Sequence, residues 1–332
     1  MEIRARRFLK TAIIVAVIGL LGYYIQLDYY VVRPSRAVDL KGIVTVEDYD
    51  TADNGSFYLL TVTQHRANLF AAAYGYLHPQ MRLNPRERVI PRDMDEEEYR
   101  ELLREHMTES KHIAQVVALR RAGYDVDLES DGVEVIDFLV DAPAEGYLET
   151  GDIINYVDNT PVMLASEVQL LVKERDVGDE VIMDIMRNAR ELRLSVPTSS
   201  HPDDEEMPFL GIYIQTLPWE PVIPLDITMD TGNIGGPSAG LMFVLEILNQ
   251  LTPDDLSGGK QIAGTGTIDL DERVGRVGGV PQKVFAAENA GIEHFIVPEK
   301  NYEDARMAAQ EIQLVPVSDL EEVLQFLVEL EN

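Results

Sequence analysis

The 332-residue chain contains no cysteine. It therefore cannot form disulfides, use a thiolate nucleophile or hold a metal ion through sulfur. Basic side chains are also scarce, with 28 Lys and Arg against 58 Asp and Glu and a formal net charge of −30. Because binding to a phosphate backbone depends on clustered cations, this balance argues against nucleic acid as a partner. We expect neither a metal ion nor an organic cofactor.

One long apolar run stands near the N-terminus. Residues 11–27 carry no charge and follow a cluster of basic side chains. A run of this length can cross the hydrocarbon core of a membrane, and Tyr29 and Tyr30 follow it where aromatic side chains suit the interface. The pattern predicts a transmembrane helix, with residues 1–36 as a single-pass anchor in the cell membrane and the rest of the chain on the extracytoplasmic side. A cleaved signal peptide is the alternative.

Residues 37–124 alternate between strand-like and helix-like patterns. Up to about residue 92, valine, tyrosine and threonine cluster between turn residues, which predicts short strands. From Asp95 onward, apolar residues recur every three or four positions. Asp95 and Glu98 match a capping box, and Gly123 supplies a stop. The sequence therefore predicts a mixed α/β region with one long helix or two joined helices.

Residues 132–196 combine strand patterns with glycine and aspartate turns. Three stretches stand out: APA and GYL within 142–148, GDII at 151–154 and DNTPV at 158–162. This combination resembles a bacterial PDZ domain, a class that binds an extended peptide as an added strand at a sheet edge. The resemblance implies a β-rich domain over residues 125–199 that selects protein or peptide substrates. A small β-rich domain in which these residues only form turns is the alternative.

A boundary is predicted after this region. Residues 200–208 are polar, acidic and interrupted by proline, which is the composition of a linker. Over residues 209–332, strand patterns alternate with helical ones, so a second folded domain is expected there. The chain as a whole is predicted to be an α+β multidomain protein.

Ser238 stands where a glycine-rich stretch becomes an apolar helix. Serine is a favoured helix N-cap, so the residue can have a purely structural role. The sequence G-P-S-A-G also fits the nucleophile elbow of α/β-hydrolases, with Asp269 or Asp271 and then His294 in the required order. However, no His-Gly-Gly run precedes it to form an oxyanion loop.

A third interpretation combines Ser238 with residues further along the chain. A T-G pair begins at Thr265, and Lys283 follows a G-G pair at the start of an alanine-rich apolar helix. Together with P-S-A-G, these residues resemble the proteolytic domain of Lon-type serine proteases over residues 210–329. The resemblance implies that Ser238 is the nucleophile, Lys283 its general base and Thr265 the residue that positions the lysine.

With the apolar N-terminal run and the PDZ-like region, the whole chain resembles the membrane-anchored, PDZ-containing Lon-like proteases of bacteria. The ATPase module of Lon itself is missing: no G-x-x-x-x-G-K-[ST] sequence occurs, and GRVGGVPQK at 275–283 has the wrong spacing. The resemblance implies an ATP-independent, membrane-anchored serine endopeptidase, and it leaves open whether the chain forms a homo-oligomer as related domains do. An inactive PDZ scaffold and a Ser-His-Asp esterase or hydrolase are the alternatives.

Lysine acts as a general base only in its neutral form. Its reference pKa is about 10.4, so lowering it to 7–8 requires about 3 units, or about 4 kcal/mol in favour of the free amine. Burial among apolar side chains supplies a shift of this size. We therefore expect Lys283 to be buried away from carboxylates, with Thr265 accepting a hydrogen bond from its amine. For the oxyanion, we expect the backbone amides of Ser238 and Gly236.

Overall fold

The structure is a computed structural model, and it divides the chain into two compact units. The first unit combines Met1–Asp125 with Ile223–Asn332, and the second is Val126–Val222. The N-terminal and C-terminal parts of the chain therefore fold together. The residues that the structure describes are 10, 13, 19–20, 22–49, 55–90, 94–139, 142–173, 175–201 and 204–331.

A six-stranded mixed sheet forms the centre of the first unit. The strands from β20 to β3 run parallel, whereas β1 is antiparallel to both β3 and β4. Gly264 at the end of β16 pairs with Leu59, but β3 continues to Asn68. β3 and β1 therefore extend past the carboxyl end of β16 as a wall. The strands in spatial order are β20 (Gln313–Val317), β19 (His294–Pro298), β16 (Gln261–Gly264), β3 (Ser56–Asn68), β1 (Gln26–Asp39) and β4 (Arg82–Pro85).

Helices and two short strand pairs complete the first unit. β2 (Val44–Val46) pairs with β15 (Ile227–Met229), and β17 (Thr267–Ile268) pairs with β18 (Val274–Gly275). Single 3₁₀ turns follow β1, β4 and β19. The helices are α1 (Leu69–Leu77), α2 (Glu96–Arg121), α4 (Gly240–Leu251), α5 (Val280–Asn289), α6 (Tyr302–Arg306) and α7 (Leu320–Glu331).

Helices α4 and α5 cover opposite faces of the sheet. Ala263 of β16 packs in an apolar cluster with Val284 of α5. The next residue, Gly264, points the other way, and a side chain there would meet the sulfur of Met242 in α4. The apolar sequence of α4 follows from this position, because its residues from Gly240 to Gln250 are all buried.

The long helix predicted from Asp95 is confirmed as a single helix, α2. The Asp95 side chain accepts hydrogen bonds from the amides of Glu97 and Glu98, and the Glu98 side chain accepts one from the Asp95 amide. The helix ends before Gly123, which has a φ of +91°. α2 packs against α4, so the N-terminal part of the chain supports the helix that follows Ser238.

The prediction of a transmembrane helix near the N-terminus is wrong. About half of residues 11–27 lie outside the described part of the chain, and none of the described helices is long and apolar enough to span a membrane. The run instead ends in β1, which begins at Gln26 and is held by pairing with β3 and β4. Tyr30, expected at an interface, is buried in β1, where its hydroxyl donates to Glu96. The prediction of a single-pass location in the cell membrane is therefore also wrong.

A second sheet and helix α3 (Ala165–Lys173) form the core of the second unit. β8 (Thr160–Pro161) pairs with β7, β5 (Asp127–Ser130) pairs with β14 (Trp219–Val222), and β11 (Ser199–His201) pairs with β12 (Asp204–Phe209). The main strands in spatial order are β10 (Arg190–Pro197), β9 (Glu180–Arg187), β7 (Ile153–Val157), β6 (Val133–Phe138) and β13 (Ile212–Thr216).

The structure divides the chain differently from the predicted boundaries. Residues 200–208, expected to be a linker, contribute to the hairpin of β11 and β12. β13 pairs with β6, so residues 209–222 belong to the second unit and not to a C-terminal domain. Residues 37–124, expected as a separate region, share the sheet of the first unit because β3 pairs with β16. Composition predicts flexibility, but it does not reveal which distant strand a segment pairs with.

Candidate active site

Ser238 lies in a turn just before α4. The helix begins at Gly240 with Ala239 as its N-cap, and no side chain caps it, so Ser238 is not the helix cap. The carbonyl oxygen of Ser238 accepts hydrogen bonds from Oγ1 of Thr265 and from the amide of Gly266, each at 3.0 Å. These bonds hold the backbone of Ser238 against the residues that follow β16.

The glycine-rich stretch before this turn is held by α2. Gly236 has a φ of +89°, a conformation that favours glycine, and its amide donates to the carbonyl oxygen of Leu103 at 2.8 Å. A Cβ at Gly235 would lie 3.1 Å from Cβ of Leu103, so a larger residue would crowd the helix. Ser110 donates from Oγ to the carbonyl oxygen of Pro237 at 3.1 Å. Helix α2 therefore determines how the chain enters α4.

Lys283 lies in the first turn of α5. Gly279 caps this helix with a φ of +70°, and its carbonyl oxygen accepts a hydrogen bond from the Lys283 amide at 3.1 Å. The lysine is 3% exposed. Burial lowers the pKa of Lys283 from 10.5 to about 7, because a charged amine loses its hydration there, and no charged group among the described residues contributes to the shift. The amine is therefore substantially neutral near pH 7.

The amine of Lys283 lies between two hydroxyl oxygens. Nζ is 2.8 Å from Oγ of Ser238 and 2.7 Å from Oγ1 of Thr265. Thr265 directly follows β16, and its amide donates to the carbonyl oxygen of Ile296 in β19 at 3.0 Å. The three side chains thus come from both faces of the sheet and meet at the carboxyl end of a parallel strand. Their distances are within the reach required of a nucleophile and its base.

The hydrogen bonds leave one arrangement for a neutral amine. The hydroxyl of Thr265 donates to the carbonyl oxygen of Ser238, so Oγ1 of Thr265 accepts from Lys283. A neutral amine then has its lone pair free to accept the hydroxyl hydrogen of Ser238. Transfer in this direction is what activates a serine nucleophile.

The two amides expected to bind an oxyanion differ in their availability. The amide of Gly236 is already bonded to the carbonyl oxygen of Leu103, so it is not free for this role in the structure. The amide of Ser238 has no hydrogen-bond partner within the described part of the chain. It lies where the chain turns into α4, and the orphan amides at the start of a helix attract negative charge.

The residues of the alternative Ser-His-Asp arrangement lie apart from Ser238. His294 begins β19 and pairs with the second residue of β16, whereas Thr265 follows the last, so they are about 10 Å apart along the strand. The His294 ring packs against the edge of Phe326, with 5.8 Å between ring centroids. Asp269 accepts hydrogen bonds from amides of its own turn, and Asp271 pairs with Arg273.

The serine and the lysine open into a groove of about 1400 Å³. One wall is the part of β1 and β3 that extends past β16. The other carries Leu103 and Met107 of α2 together with residues 233–239. A groove of this kind, walled by strands and open to solvent beside a nucleophile, has the shape required to hold an extended polypeptide.

Three supporting residues were not predicted from the sequence. Leu103 and Ser110 hold the glycine-rich stretch, and Glu96 accepts a hydrogen bond from the β1 residue Tyr30. Ser110 and its partner Pro237 are 127 residues apart in the chain. A contact to a main-chain carbonyl leaves no motif in the sequence, so only the coordinates reveal it.

Comparison with known proteins assigns the C-terminal part of the chain to a class. Residues 225–329 match the Lon protease (S16) C-terminal proteolytic domain. The Lon protease of Trichlorobacter lovleyi is 34% identical over 98 residues, and Lon protease 2 of Sorangium cellulosum is 37% identical over 98 residues. Each match covers 28% of this chain and 12% of the relative, so the chain spans a small part of their length. The matched region is a proteolytic domain of the serine-type peptidases.

Two solved PDZ domains are similar to part of the chain. The PDZ domain of an SdrC-like protein from Listeria innocua is 26% identical, covers 25% of this chain and 93% of that chain, and has a TM-score of 0.24. The corresponding domain from Listeria monocytogenes is 23% identical, covers 26% of this chain and 90% of that chain, and also has a TM-score of 0.24.

Proposed function

We propose that the chain is a serine endopeptidase in which Ser238 attacks the carbonyl carbon of a peptide bond and Lys283 is the general base. The observation that best supports this is the 2.8 Å distance between Nζ of Lys283 and Oγ of Ser238, in a site where burial lowers the pKa of the amine to about 7. The match of residues 225–329 to a Lon-type proteolytic domain supports the same chemistry.

The reaction follows from these positions. The neutral amine of Lys283 accepts the hydroxyl hydrogen of Ser238 while Oγ bonds to the carbonyl carbon. The Ser238 amide donates to the oxygen that becomes negative. The ammonium of Lys283 then gives its proton to the leaving nitrogen, the C–N bond breaks, and the acyl group remains on Oγ. A water molecule, deprotonated by the same amine, hydrolyses this ester and restores the free serine.

Thr265 is proposed to act as a positioning residue. We expect Thr265→Val to lower kcat about ten-fold with little change in KM, because it removes the acceptor for a buried N–H of Lys283. Thr265→Ser keeps the hydroxyl and should retain most of the activity. Steady-state kinetics on a peptide substrate measure both variants. Equal kcat values for the two would contradict the assigned role.

We infer that the substrates are proteins or peptides and that the second unit is a PDZ-like domain that selects or presents them. Its largely antiparallel sheet and α3 share one apolar core. Asp158 and Asn159, singled out in the sequence, have positive φ values in the turn between β7 and β8. They therefore shape the turn between these two strands. Peptide binding would use a sheet edge. Turnover is proposed to need no ATP, because the 332 residues contain no P-loop sequence.

Covalent labelling tests the proposal. We expect the chain to cleave an unfolded protein without ATP, and a fluorophosphonate to attach to Ser238, located by mass spectrometry of the digested chain. Ser238→Ala should abolish both. Among the described residues, the only other hydroxyl beside the amine of Lys283 is that of Thr265, whose hydrogen is already donated. Ser35→Ala, which alters another serine of the same groove, is the matched control. Cleavage that persists in Ser238→Ala would disprove the assignment, and dependence on ATP would disprove that part of it.

A further inference from the structure

The groove beside Ser238 has the opposite charge from the chain as a whole. The chain carries 58 acidic and 28 basic side chains, yet the groove is lined by five arginines and a single glutamate. Lys283 adds only part of a positive charge near pH 7, because burial lowers the pKa of its amine to about 7 and the ammonium form is then only partly populated. The arginines of the groove are Arg33, Arg36, Arg66, Arg88 and Arg100.

Three of these arginines have no side-chain partner among the described residues. Arg33, Arg36 and Arg88 are exposed, and their guanidinium groups form no ion pair or hydrogen bond with any residue in the described ranges. A free guanidinium presents five N–H donors in a plane that matches a carboxylate. In a chain with twice as many carboxylates as cations, three unpaired arginines in one groove point to a ligand that brings its own negative charge.

The other charged groups of the groove are already occupied. Arg66 forms an ion pair with Asp28 at 2.7 Å, and Arg100 donates from Nε to the carbonyl oxygen of Glu96 at 3.1 Å. Glu96, the one acidic residue among the described residues that line the groove, accepts a hydrogen bond from the hydroxyl of Tyr30. The positive charge available to a ligand is therefore supplied by the three unpaired arginines and by Arg100, whose bond to a carbonyl oxygen leaves its charge uncompensated.

The backbone places Arg36 close to α5, the helix that carries Lys283. A register shift between β1 and β3 lies at this residue, whose amide donates to Oγ1 of Thr61 while its carbonyl oxygen accepts from the same hydroxyl, each at 3.1 Å. Val62, the next residue of β3, would lie 3.5 Å from a Cβ at Gly279, the cap of the helix that carries Lys283. A register shift such as the one at Arg36 can redirect a side chain beside an active site.

Arg33 lies further along the same wall. It pairs with Thr63 across β1 and β3, and Val31, two residues before it, pairs with His65. Burial and, after it, the positive charge of Arg33 lower the pKa of His65, so His65 lies close enough to feel this charge. Arg33 and Arg36 thus carry the charge along one side of the groove.

We propose that the groove selects acidic polypeptide segments, whose carboxylates pair with Arg33, Arg36 and Arg88 while the peptide bond to be cleaved lies at Ser238. The inference rests on the proposed function, because it takes the groove to hold the substrate. An acidic segment is repelled by the rest of a surface with net charge −30, so a local cluster of cations is what allows it to approach.

A nucleic acid would meet the same arginines, but the remaining groove does not suit it. The α2 wall presents the apolar side chains of Leu103 and Met107, and the groove leads to the pair of Ser238 and Lys283. Apolar side chains beside cations fit a polypeptide that carries both kinds of residue. The acidic polypeptide is therefore the occupant that the lining favours.

Two matched peptides test the inference through activity. They have the same length and sequence, except that Asp and Glu in the first are Asn and Gln in the second. We expect the chain to cleave the acidic peptide with a kcat/KM about two- to five-fold higher for each exposed arginine that it contacts. This preference should shrink as NaCl is raised from about 50 mM to about 500 mM, because salt screens exposed charges.

Substitution of the arginines tests whether they cause the preference for the acidic peptide. The double variant Arg33→Gln, Arg36→Gln should lose most of the preference, because its kcat/KM falls much more for the acidic peptide than for the neutral one. Arg82→Gln is the matched control, since Arg82 is exposed in β4, has no partner among the described residues and does not line the groove. Equal loss on both peptides, or a preference that survives in the double variant, would overturn the inference.

Binding separates this inference from the proposed function. Fluorescence anisotropy of the labelled acidic peptide is measured with the Ser238→Ala chain, alone and with Arg33→Gln and Arg36→Gln added. Weaker binding on adding these changes supports the groove assignment even if no peptide is cleaved. Unchanged binding overturns it even if cleavage depends on Ser238. Tighter binding of a single-stranded oligonucleotide than of the acidic peptide would overturn the choice of a polypeptide.

Discussion

The Lys283→Met variant is expected to cleave peptides with a kcat/KM lowered by about 10³-fold or more while remaining folded. Removal of a general base typically costs about 10²- to 10⁴-fold, and here the same amine also protonates the leaving nitrogen. Nζ of Lys283 lies 2.8 Å from Oγ of Ser238. The hydroxyl of Thr265, which also lies beside Nζ, already donates its hydrogen to the carbonyl oxygen of Ser238. The variant therefore leaves Ser238 without a base.

Folding stability distinguishes this loss from simple unfolding. The pKa of Lys283 falls from 10.5 to about 7 on burial, which costs about 5 kcal/mol of folding free energy at pH 7. The unfolded chain binds more protons between these two values, so this cost is complete below about pH 7 and disappears above 10.5. An apolar side chain removes it. Lys283→Met should therefore unfold at a temperature no lower than the unmodified chain at pH 7.

The pH dependence and two further variants complete this test. The kcat/KM of the unmodified chain should rise with pH through about 7 and then level, because only the neutral amine accepts a proton. Lys283→Arg should be as inactive as Lys283→Met, since a guanidinium stays charged. His294→Gln should remain active. If His294→Gln abolished cleavage and Lys283→Met did not, the Ser-His-Asp alternative would replace the proposed one.

Glu246→Gln is expected to stabilise the chain by about 3 kcal/mol above pH 7. Glu246 is 0% exposed in α4. Its Oε1 accepts a hydrogen bond from Gln250 at 2.8 Å, and Oε2 has no partner among the described residues. Burial raises the pKa of Glu246 from 4.5 to about 7, a shift equivalent to about 3 kcal/mol. Glutamine keeps the accepting oxygen and removes the charge.

The direction of the pKa shift of Glu246 determines the pH range over which the substitution stabilises the chain. A raised acid pKa means that the folded chain keeps its proton between 4.5 and about 7 while the unfolded chain loses it, so stability falls as pH rises across this range. Asp39 and Asp255 raise the pKa further, and Lys41 opposes them. The difference between the variant and the unmodified chain should therefore grow from pH 4.5 and level above about 7.

Denaturant unfolding at several pH values measures this difference. The control is Glu109→Gln, an exposed position of α2, which should change the free energy of unfolding by less than about 0.5 kcal/mol at every pH. Parallel curves for Glu246→Gln and the unmodified chain between pH 4.5 and about 8 would contradict the assigned cost of the buried carboxyl group.

The residues proposed to carry the chemistry each have a local signature in the sequence. Ser238 stands in a run of small residues that lets the chain turn before an apolar helix, and Lys283 stands among apolar residues after a glycine pair. The structure brings Lys283 within 2.8 Å of Ser238 and 2.7 Å of Thr265.

The supporting contacts were not predictable in this way. The amide of Gly236, expected to bind the oxyanion, donates instead to the carbonyl oxygen of Leu103 in α2. The sequence of α2 shows its N-terminal cap and its apolar periodicity, but it does not show this contact. The placement of β13 with β6 depends on a partner strand distant in sequence. An apolar N-terminal run has the same composition whether it meets lipid or continues into a sheet, so composition could not assign β1.

The central sheet joins the earliest and the latest parts of the chain, because β3 ends at Asn68 and its neighbour β16 begins at Gln261. During translation at about 5–20 residues per second, roughly 10–40 s separate the emergence of these two strands from the ribosome. The nascent chain must keep the long early strands from pairing wrongly for that time. It also follows that the ribosome must have made both β3 and the distant residue Lys283 before Ser238 and Lys283 can come together on this sheet.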